Sequence, residues 1–498
     1  MSEKYVIGID QSTQGTKALL FGGKGELICR TDRPHRQLVD ERGWVEHDPE
    51  EIYCNTIAVI RDLIVKSGIS SSSVVCIGIS NQRETALAWN RHTGKPVYNA
   101  IVWQCARGEE ICRRLAGEDP EFEAQVKMRT GLQLSPYFSA AKLAWIMEQV
   151  PGVQESAEQG DICCGTVDSW LVFKLTGGKE FRTDYSNASR TQLFNITELQ
   201  WDQELCRKFG IPITSLPQLT DSDGVFGMTD AGGLFPHVIP IHSVLGDSHG
   251  ALFGQGCTER GMMKTTYGTG SSIMMNIGEK PIFSDLGVVT SLAWKQGGKV
   301  QYVLEGNINY TGAVITWLKD DVGILKSAAQ SEKLAREANP ADKTYLVPGF
   351  SGLGAPYWRS DVSAVFCGMS RTTGRAELVR AGLSSIAYQI ADIVRLMKDA
   401  ADISEVELRV DGGPTRNGWL MQFQSDILDS CVQVPAAEEL SGIGAAYAAG
   451  IGAGIYCADE LFSRMQRTEF KPQMRQEERE EKYSGWLKAV QMVLGQKE

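Results

Sequence analysis

The chain has 498 residues, 42% of them hydrophobic, which is enough for two or more buried cores. Its formal net charge is −11 and its basic residues form no cluster, which argues against nucleic acid as a partner. No stretch approaches the ~18 consecutive apolar residues of a membrane-spanning helix; the opening MSEKYVIGID enters a strand pattern without the apolar core and cleavage site of a secretory leader, so a cytoplasmic location is expected.

Tyr5–Asp10 and Thr16–Phe21 read as two apolar strands of a hairpin, joined by a turn of Ser12, Thr13, Gln14 and Gly15. Such a turn offers backbone N–H groups and hydroxyls with little side-chain bulk, which suits oxyanions. A third strand over Glu26–Arg30 follows Gly22-Gly23-Lys24-Gly25. Residues 49–66 place Ile52, Ile57, Val59, Ile60, Leu63 and Ile64 at helical spacing. Val74–Ser80 is a buried strand that ends in Asn81-Gln82-Arg83-Glu84, the position past a strand's carboxyl end where α/β folds hold ligands.

The second half repeats this order. Met262–Thr266 and Ser272–Asn276 flank Gly268-Thr269-Gly270, and a further hairpin spans Val288–Trp294 and Val300–Glu305. A long amphipathic helix is expected over Glu377–Lys398. The strand Glu407–Val410 then runs through Asp411-Gly412-Gly413 into a helix over Asn417–Leu428, a third candidate phosphate or adenosine loop. Ser441–Ala446 opens a helix of small residues suited to close packing, the charge run Arg475–Lys482 reads as a solvated helix face, and a final helix covers Tyr483–Leu494. Either Gly-containing hairpin alone is an ordinary turn; two of them about 250 residues apart point to a duplicated fold with a nucleotide between its halves. The repeat sets the expected boundary near residue 255. The twelve cysteines include no C-x-x-C pair, and Cys76, Cys367, Cys431 and the adjacent Cys163-Cys164 sit among apolar residues, so buried reduced thiols are expected rather than disulfides or a zinc site.

Long segments of the chain resemble the FGGY carbohydrate kinases, and within them the glycerol kinases: GWVEHDPEEI at 43–52, SNQRET at 80–85, GKPVYNAIVWQC at 94–105, YFSAAKLAWIMEQ at 137–149, GTVDSWLVFKLT at 165–176, TDYSNASRTQLFNI at 183–196, SGLGAPYW at 351–358 and MQFQSDIL at 421–428. The resemblance covers nearly the whole chain. It implies an α/β, duplicated actin/hexokinase-like (ribonuclease H-like) fold with the active-site cleft between its halves. Residues 1–254 would supply the polyol and phosphate/metal sites, and 255–498 the nucleotide site. It also implies transfer of the ATP γ-phosphoryl group, with Mg²⁺, to a terminal hydroxyl of a small polyol such as glycerol, by a homo-oligomer (dimer or tetramer).

Residue by residue, the resemblance makes Asp247 the general base. Read alone, Asp247 is equally a helix N-terminal carboxylate. Asp10, with Asp247, would hold the metal; Ser12, Thr13, Gln14, Lys17, Gly268, Thr269, Gly312, Thr316, Gly413 and Asn417 would hold the nucleotide. Arg83, Glu84, Trp103, Tyr137, Asp247, Ser248 and Ser272 would line the polyol site, although Arg83-Glu84 alone reads as a surface ion pair and Trp103 as a core aromatic.

Four departures stand out. Lys17 occupies a position that is more often Arg, Ser272 one that is usually Phe, and Ser248-His249 a pair that is usually Gln-Gln. The changes at 248–249 and 272 are expected to widen the polyol pocket, which keeps a tetritol, pentitol or short ketose open as the substrate. The segment AGGLFPHVIPI at 231–241 lacks the Arg of a fructose 1,6-bisphosphate loop, so insensitivity to that effector is expected. A non-enzymatic actin-like ATP-binding module is the rival of another class.

Overall fold

The computed structural model describes residues 3–495. Two sheets carry the repeat. The first has six strands in the order 227–229, 239–246, 74–81, 5–11, 15–21 and 27–34; the second has seven, in the order 289–296, 299–308, 271–278, 262–267, 407–411, 432–435 and 467–470. In each, an antiparallel hairpin (Tyr5–Gln11 with Gly15–Phe21; Met262–Tyr267 with Ser271–Gly278) sits beside parallel strands that arrive by crossovers. This is the duplicated frame of the actin/hexokinase-like fold. The expected elements are present with ends shifted by a few residues. The third strand lies at Leu27–Pro34 rather than starting at Glu26, and the charge run is the first part of one helix, Gln476–Leu494, rather than a separate segment before it.

Local sequence explains the element ends. Asp48 caps the helix Pro49–Ser67 by accepting the Glu50 N–H at 2.9 Å, proline takes the first helical position, and Gly68 ends the helix in the left-handed region at φ 69°. The small-residue helix Leu440–Gly452 belongs to the second half of the chain but packs on the first sheet. A Cβ on Gly78 would come within 2.0 Å of the Ala445 carbonyl oxygen, and one on Gly444 within 1.8 Å of the Gly250 carbonyl oxygen. Glycine at these positions therefore sets how closely the helix approaches, and the helix brings Gly442 against Asp10.

Cys76, Cys163 and Cys164 are buried thiols as expected; Cys367 and Cys431 are only half-buried, and Cys54 and Cys457 are exposed. No helix among the described residues is long and apolar enough to cross a membrane.

Candidate active site

Two hairpin turns face one cleft of about 720 Å³. Asp10, Ser12, Thr13, Arg83, Glu84, Trp103, Tyr137, Asp247, Ser248, Gly268, Thr269 and Ser272 line it together. These residues span more than 250 positions, and the sheets bring most of them together because they lie at a strand's carboxyl end or just after it; Ser272 is at the start of the strand Ser271–Gly278, and Tyr137 just precedes the helix Ser139–Gln149.

Asp247 is the first residue of the helix Asp247–Gly254, and Gly246 holds the cap position. Its Oδ1 accepts the Ser248 N–H at 2.5 Å and lies 3.2 Å from Arg83 Nε, and the side chain keeps 35% of its exposure. A carboxylate held by a guanidinium yet open to the cleft can accept a proton from a bound hydroxyl.

Arg83 is buried, and both its terminal nitrogens donate to Glu305 at 2.9 Å. Glu305 also lies 3.0 Å from Arg190 Nη1, while Arg190 Nε donates to Glu84 at 2.6 Å. Burial alone would raise the Glu305 carboxyl, but Arg190 and Arg83 outweigh it and hold the group well below the usual range. The Arg83 guanidinium stays charged: its burial is opposed by Glu305 and Glu84. Arg83 and Glu84 are thus the two ends of a buried four-residue chain of alternating charge, Arg83–Glu305–Arg190–Glu84, not a surface pair. Glu84 sits at φ 60°, in the left-handed region, with its carbonyl held by Ser139 Oγ at 3.1 Å. Trp103 meets Tyr137 edge to face, with ring centroids 5.6 Å apart, and its indole N–H donates to Thr13 Oγ1 at 2.9 Å. The indole therefore ties this aromatic pair to the first turn.

Asp10 lies opposite Lys17 in the hairpin register. Burial pushes its carboxyl up to about 6, against the pull of Lys17 and with a further push from Asp247. Its Oδ1 is buried without a hydrogen-bond partner. An orphaned carboxylate oxygen beside a second carboxylate fits a hard divalent cation, which would restore the lost interaction. No group of three or more His, Cys, Asp or Glu among the described residues is arranged to hold a metal unaided, so phosphate and water would complete its shell.

The remaining predicted residues lie outside this cleft lining. Lys17 is turned toward Glu439, with Nζ 2.6 Å from its Oε2. Gln14 is exposed, and its carbonyl accepts the His35 N–H at 3.2 Å. Gly312 closes on the second turn, donating its N–H to the Gly268 carbonyl at 2.9 Å, whereas Thr316 is exposed one turn further along the same helix. Gly413 lines a separate hollow of about 350 Å³ with Asp411 and Gly412. Asn417 caps the helix Gly418–Leu428 and donates to Ser331 Oγ at 3.1 Å.

His249 corrects an expectation. It is fully buried, outside the cleft lining, with Nε2 3.4 Å from Ser291 Oγ; burial and the nearby Arg83 keep it neutral. Only Ser248 and Ser272 of the departures bear on pocket width. Sequence reasoning missed Glu305, Arg190 and Lys264. Lys264 is almost fully buried, lines the cleft and donates to Thr266 Oγ1 at 2.9 Å; its burial lowers its proton affinity. The available signal was a charge inside an apolar strand, as in MMKTTY and VQYVLEGNI.

A duplicated fold that faces two oxyanion-type turns across a cleft, with a base-competent aspartate and a buried arginine between them, defines an ATP-dependent phosphotransferase of the actin/hexokinase-like class. The chain belongs to the FGGY family of carbohydrate kinases: the family's N-terminal domain matches residues 5–254 and its C-terminal domain residues 263–453. It is 48% identical to glycerol kinase 1 of Thermotoga maritima, over 98% of this chain and 99% of that one. It is 45% identical to glycerol kinase of Bacillus licheniformis, over 98% of each. Among solved structures, glycerol kinase of Plasmodium falciparum with ADP superposes at a TM-score of 0.94 and 35% identity, over 99% of both chains. Xylulose kinase of Lactobacillus acidophilus, at 19% identity and a TM-score of 0.87, shares the fold.

Proposed function

We propose that this kinase transfers the γ-phosphoryl group of ATP to a terminal hydroxyl of glycerol, giving glycerol 3-phosphate. The observation that carries the reading is the placement of Arg83 Nε 3.2 Å from the Asp247 carboxylate in a cleft also lined by Glu84, Trp103 and Tyr137. Arg83 and Glu84 would donate to and accept from adjacent hydroxyls, and the aromatic pair would pack on the C–H face. Asp247 would take the hydroxyl proton as the oxygen bonds to phosphorus. Phosphoryl transfer needs little more from the protein than position and charge. Mg²⁺ held by Asp10 and Asp247 would neutralise the phosphate oxygens. The backbone of Gly268-Thr269-Gly270, with Gly312 behind it, would cradle the phosphates, and Gly413 and Asn417 would flank the nucleoside. In this reading residues 1–254 bring the polyol and metal groups and 255–498 the nucleotide loops. Assembly as a dimer or tetramer belongs to the same reading and is checked by light scattering.

A second reading is favoured by Ser272. Its hydroxyl is buried without a partner, and the residue lines the cleft. An unmade hydrogen bond beside the polyol leaves room for one more substrate hydroxyl. The test is kcat/KM for glycerol, erythritol, threitol, ribitol and xylulose in an ATP-coupled assay. A glycerol preference above roughly 10²-fold, about 2.7 kcal/mol, removes the second reading; no turnover of glycerol removes the first.

A further inference from the structure

Lys17 does not pair closely with the acid opposite it in the hairpin. Its Nζ is 4.0 Å from Asp10 Oδ2 but 2.6 Å from Glu439 Oε2. Glu439 immediately precedes the helix Leu440–Gly452, where a carboxylate is favoured by the unpaired N–H groups of the first turn. Its side chain is 12% exposed, and its other oxygen accepts from Arg30 on the next strand of the first sheet. The same residue lines a cavity of about 810 Å³ on the side of Arg30, together with Lys24, Tyr447 and Arg464. One carboxylate from the second half of the chain therefore clamps two cations of the first half.

We propose that Glu439 is a positioning residue for the phosphoryl transfer: it holds the Lys17 ammonium away from Asp10 and aims it for the transferring group. Two consequences follow from the geometry. Without Glu439, the nearest anion to Lys17 is Asp10, and the ammonium would settle there, lost to the phosphate and blocking the acid. With it, the ammonium stays 4.0 Å from Asp10 Oδ2, next to an Oδ1 that has no partner, and Lys17 keeps a fixed direction with low reorganisation. Arg30 engages the second oxygen, so that Glu439 is shared between the two cations.

The proposal rests on the kinase reading above but not on glycerol as substrate, so the test uses whichever polyol the wild-type chain turns over fastest. Glu439→Gln and Lys17→Ala are made singly and together, and kcat, both KM values and ADP affinity by calorimetry are measured. Glu439→Gln is expected to lower kcat by roughly tenfold with the polyol KM within about twofold, and to add less than about twofold in the Lys17→Ala background. Glu439→Asp should recover part of the loss. Equal losses in both backgrounds, or a raised polyol KM at unchanged kcat, overturn the proposal. Thermal unfolding of each variant separates it from a helix-capping role, which would lower the melting temperature with no coupling to Lys17. Absence of turnover by the wild-type chain on every polyol would instead refute the kinase reading.

Discussion

The two hairpin turns share a backbone plan and differ in what stands behind them. In the first, the strands place Asp10 opposite Lys17; in the second, the equivalent register places Thr266 opposite Ser272. Both turns are closed by a backbone bond, and the first is braced further by side chains: Ser12 Oγ to the Gly15 carbonyl, His35 Nε2 to the Thr13 carbonyl and Trp103 to Thr13 Oγ1. The second is braced by backbone: Gly268 N–H to the Gly270 carbonyl, and Thr311, Gly312 and Ala313 N–H groups to the carbonyls of Thr269 and Gly268. A charged turn fixed by side chains suits metal and reacting phosphoryl, where charge develops. A neutral turn fixed by the backbone of the following helix start suits phosphates that only need holding. Duplication supplied the frame, and side-chain choice divided the work.

The largest expected effect lies on the side of the first turn. Asp247→Asn keeps size and hydrogen bonding but cannot accept the proton, so kcat should fall by roughly 10²–10⁴-fold, or about 3–5 kcal/mol of barrier, with the nucleotide KM little changed. Retention of more than a tenth of the wild-type kcat would show that the reaction needs no base there.

Glu305, on a strand of the second sheet, joins the two halves of the chain through Arg83. Glu305→Gln leaves Arg83 and Arg190 buried without a full counter-charge, and should cost about 3 kcal/mol in urea unfolding while raising the polyol KM. The pH sign follows from the depressed carboxyl. The folded state favours the ionised form, so this contribution is present above the ordinary value of 4.5 and is lost as pH falls below it. Wild type should therefore match its neutral-pH advantage over Glu305→Gln down to about pH 5 and lose stability more steeply than the variant only as pH falls below the ordinary value of 4.5.

Asp10 gives the opposite sign and a smaller effect. Its raised carboxyl means that the folded state binds the proton more tightly than the unfolded chain. The ionised form thus costs stability as pH rises through about 6, and costs nothing below its ordinary 3.8. Asp10→Asn should stabilise the nucleotide-free protein at pH 7.5 by up to about 2 kcal/mol in thermal unfolding, while raising the Mg²⁺ concentration needed for half activity. A destabilised variant with an unchanged Mg²⁺ requirement would place the metal elsewhere.

Much of this was legible in the sequence, for a physical reason. Turns that need glycine and strands that are buried on both faces leave local signatures, so both hairpins, Asp411-Gly412-Gly413 and the small-residue helix could be read directly. The lining residues Arg83, Trp103 and Tyr137 came from matched segments, and Asp10 and Asp247 from the family resemblance at the ends of apolar strands. Glu305, Arg190 and Glu439 were missed because each matters through a partner far along the chain: Arg83 lies 222 residues from Glu305, and Lys17 422 from Glu439; Lys264, whose Thr266 partner is two residues away, left only the signal of a charge inside a buried strand. Periodicity does not encode such pairs. His249 was misplaced for a related reason. Residues adjacent in a helix point in different directions, so Ser248 faces the cleft while its neighbour is buried.

The smallest expected effect sharpens the comparison at the second turn. Ser272 is the register counterpart of Lys17, and its hydroxyl has no partner. Ser272→Phe would replace an unsatisfied hydroxyl with an apolar wall and fill space beside the polyol. If the second turn helps set substrate size, this change should shift kcat/KM toward glycerol over erythritol by roughly tenfold, a difference of the size of one or two methylenes in a pocket, with the ATP KM unchanged. If the ratio stays constant while the ATP KM rises, Ser272 serves the nucleotide instead. The second turn would then be neutral because phosphates are held by its backbone, and substrate choice would lie wholly with Arg83, Glu84 and the Trp103–Tyr137 wall.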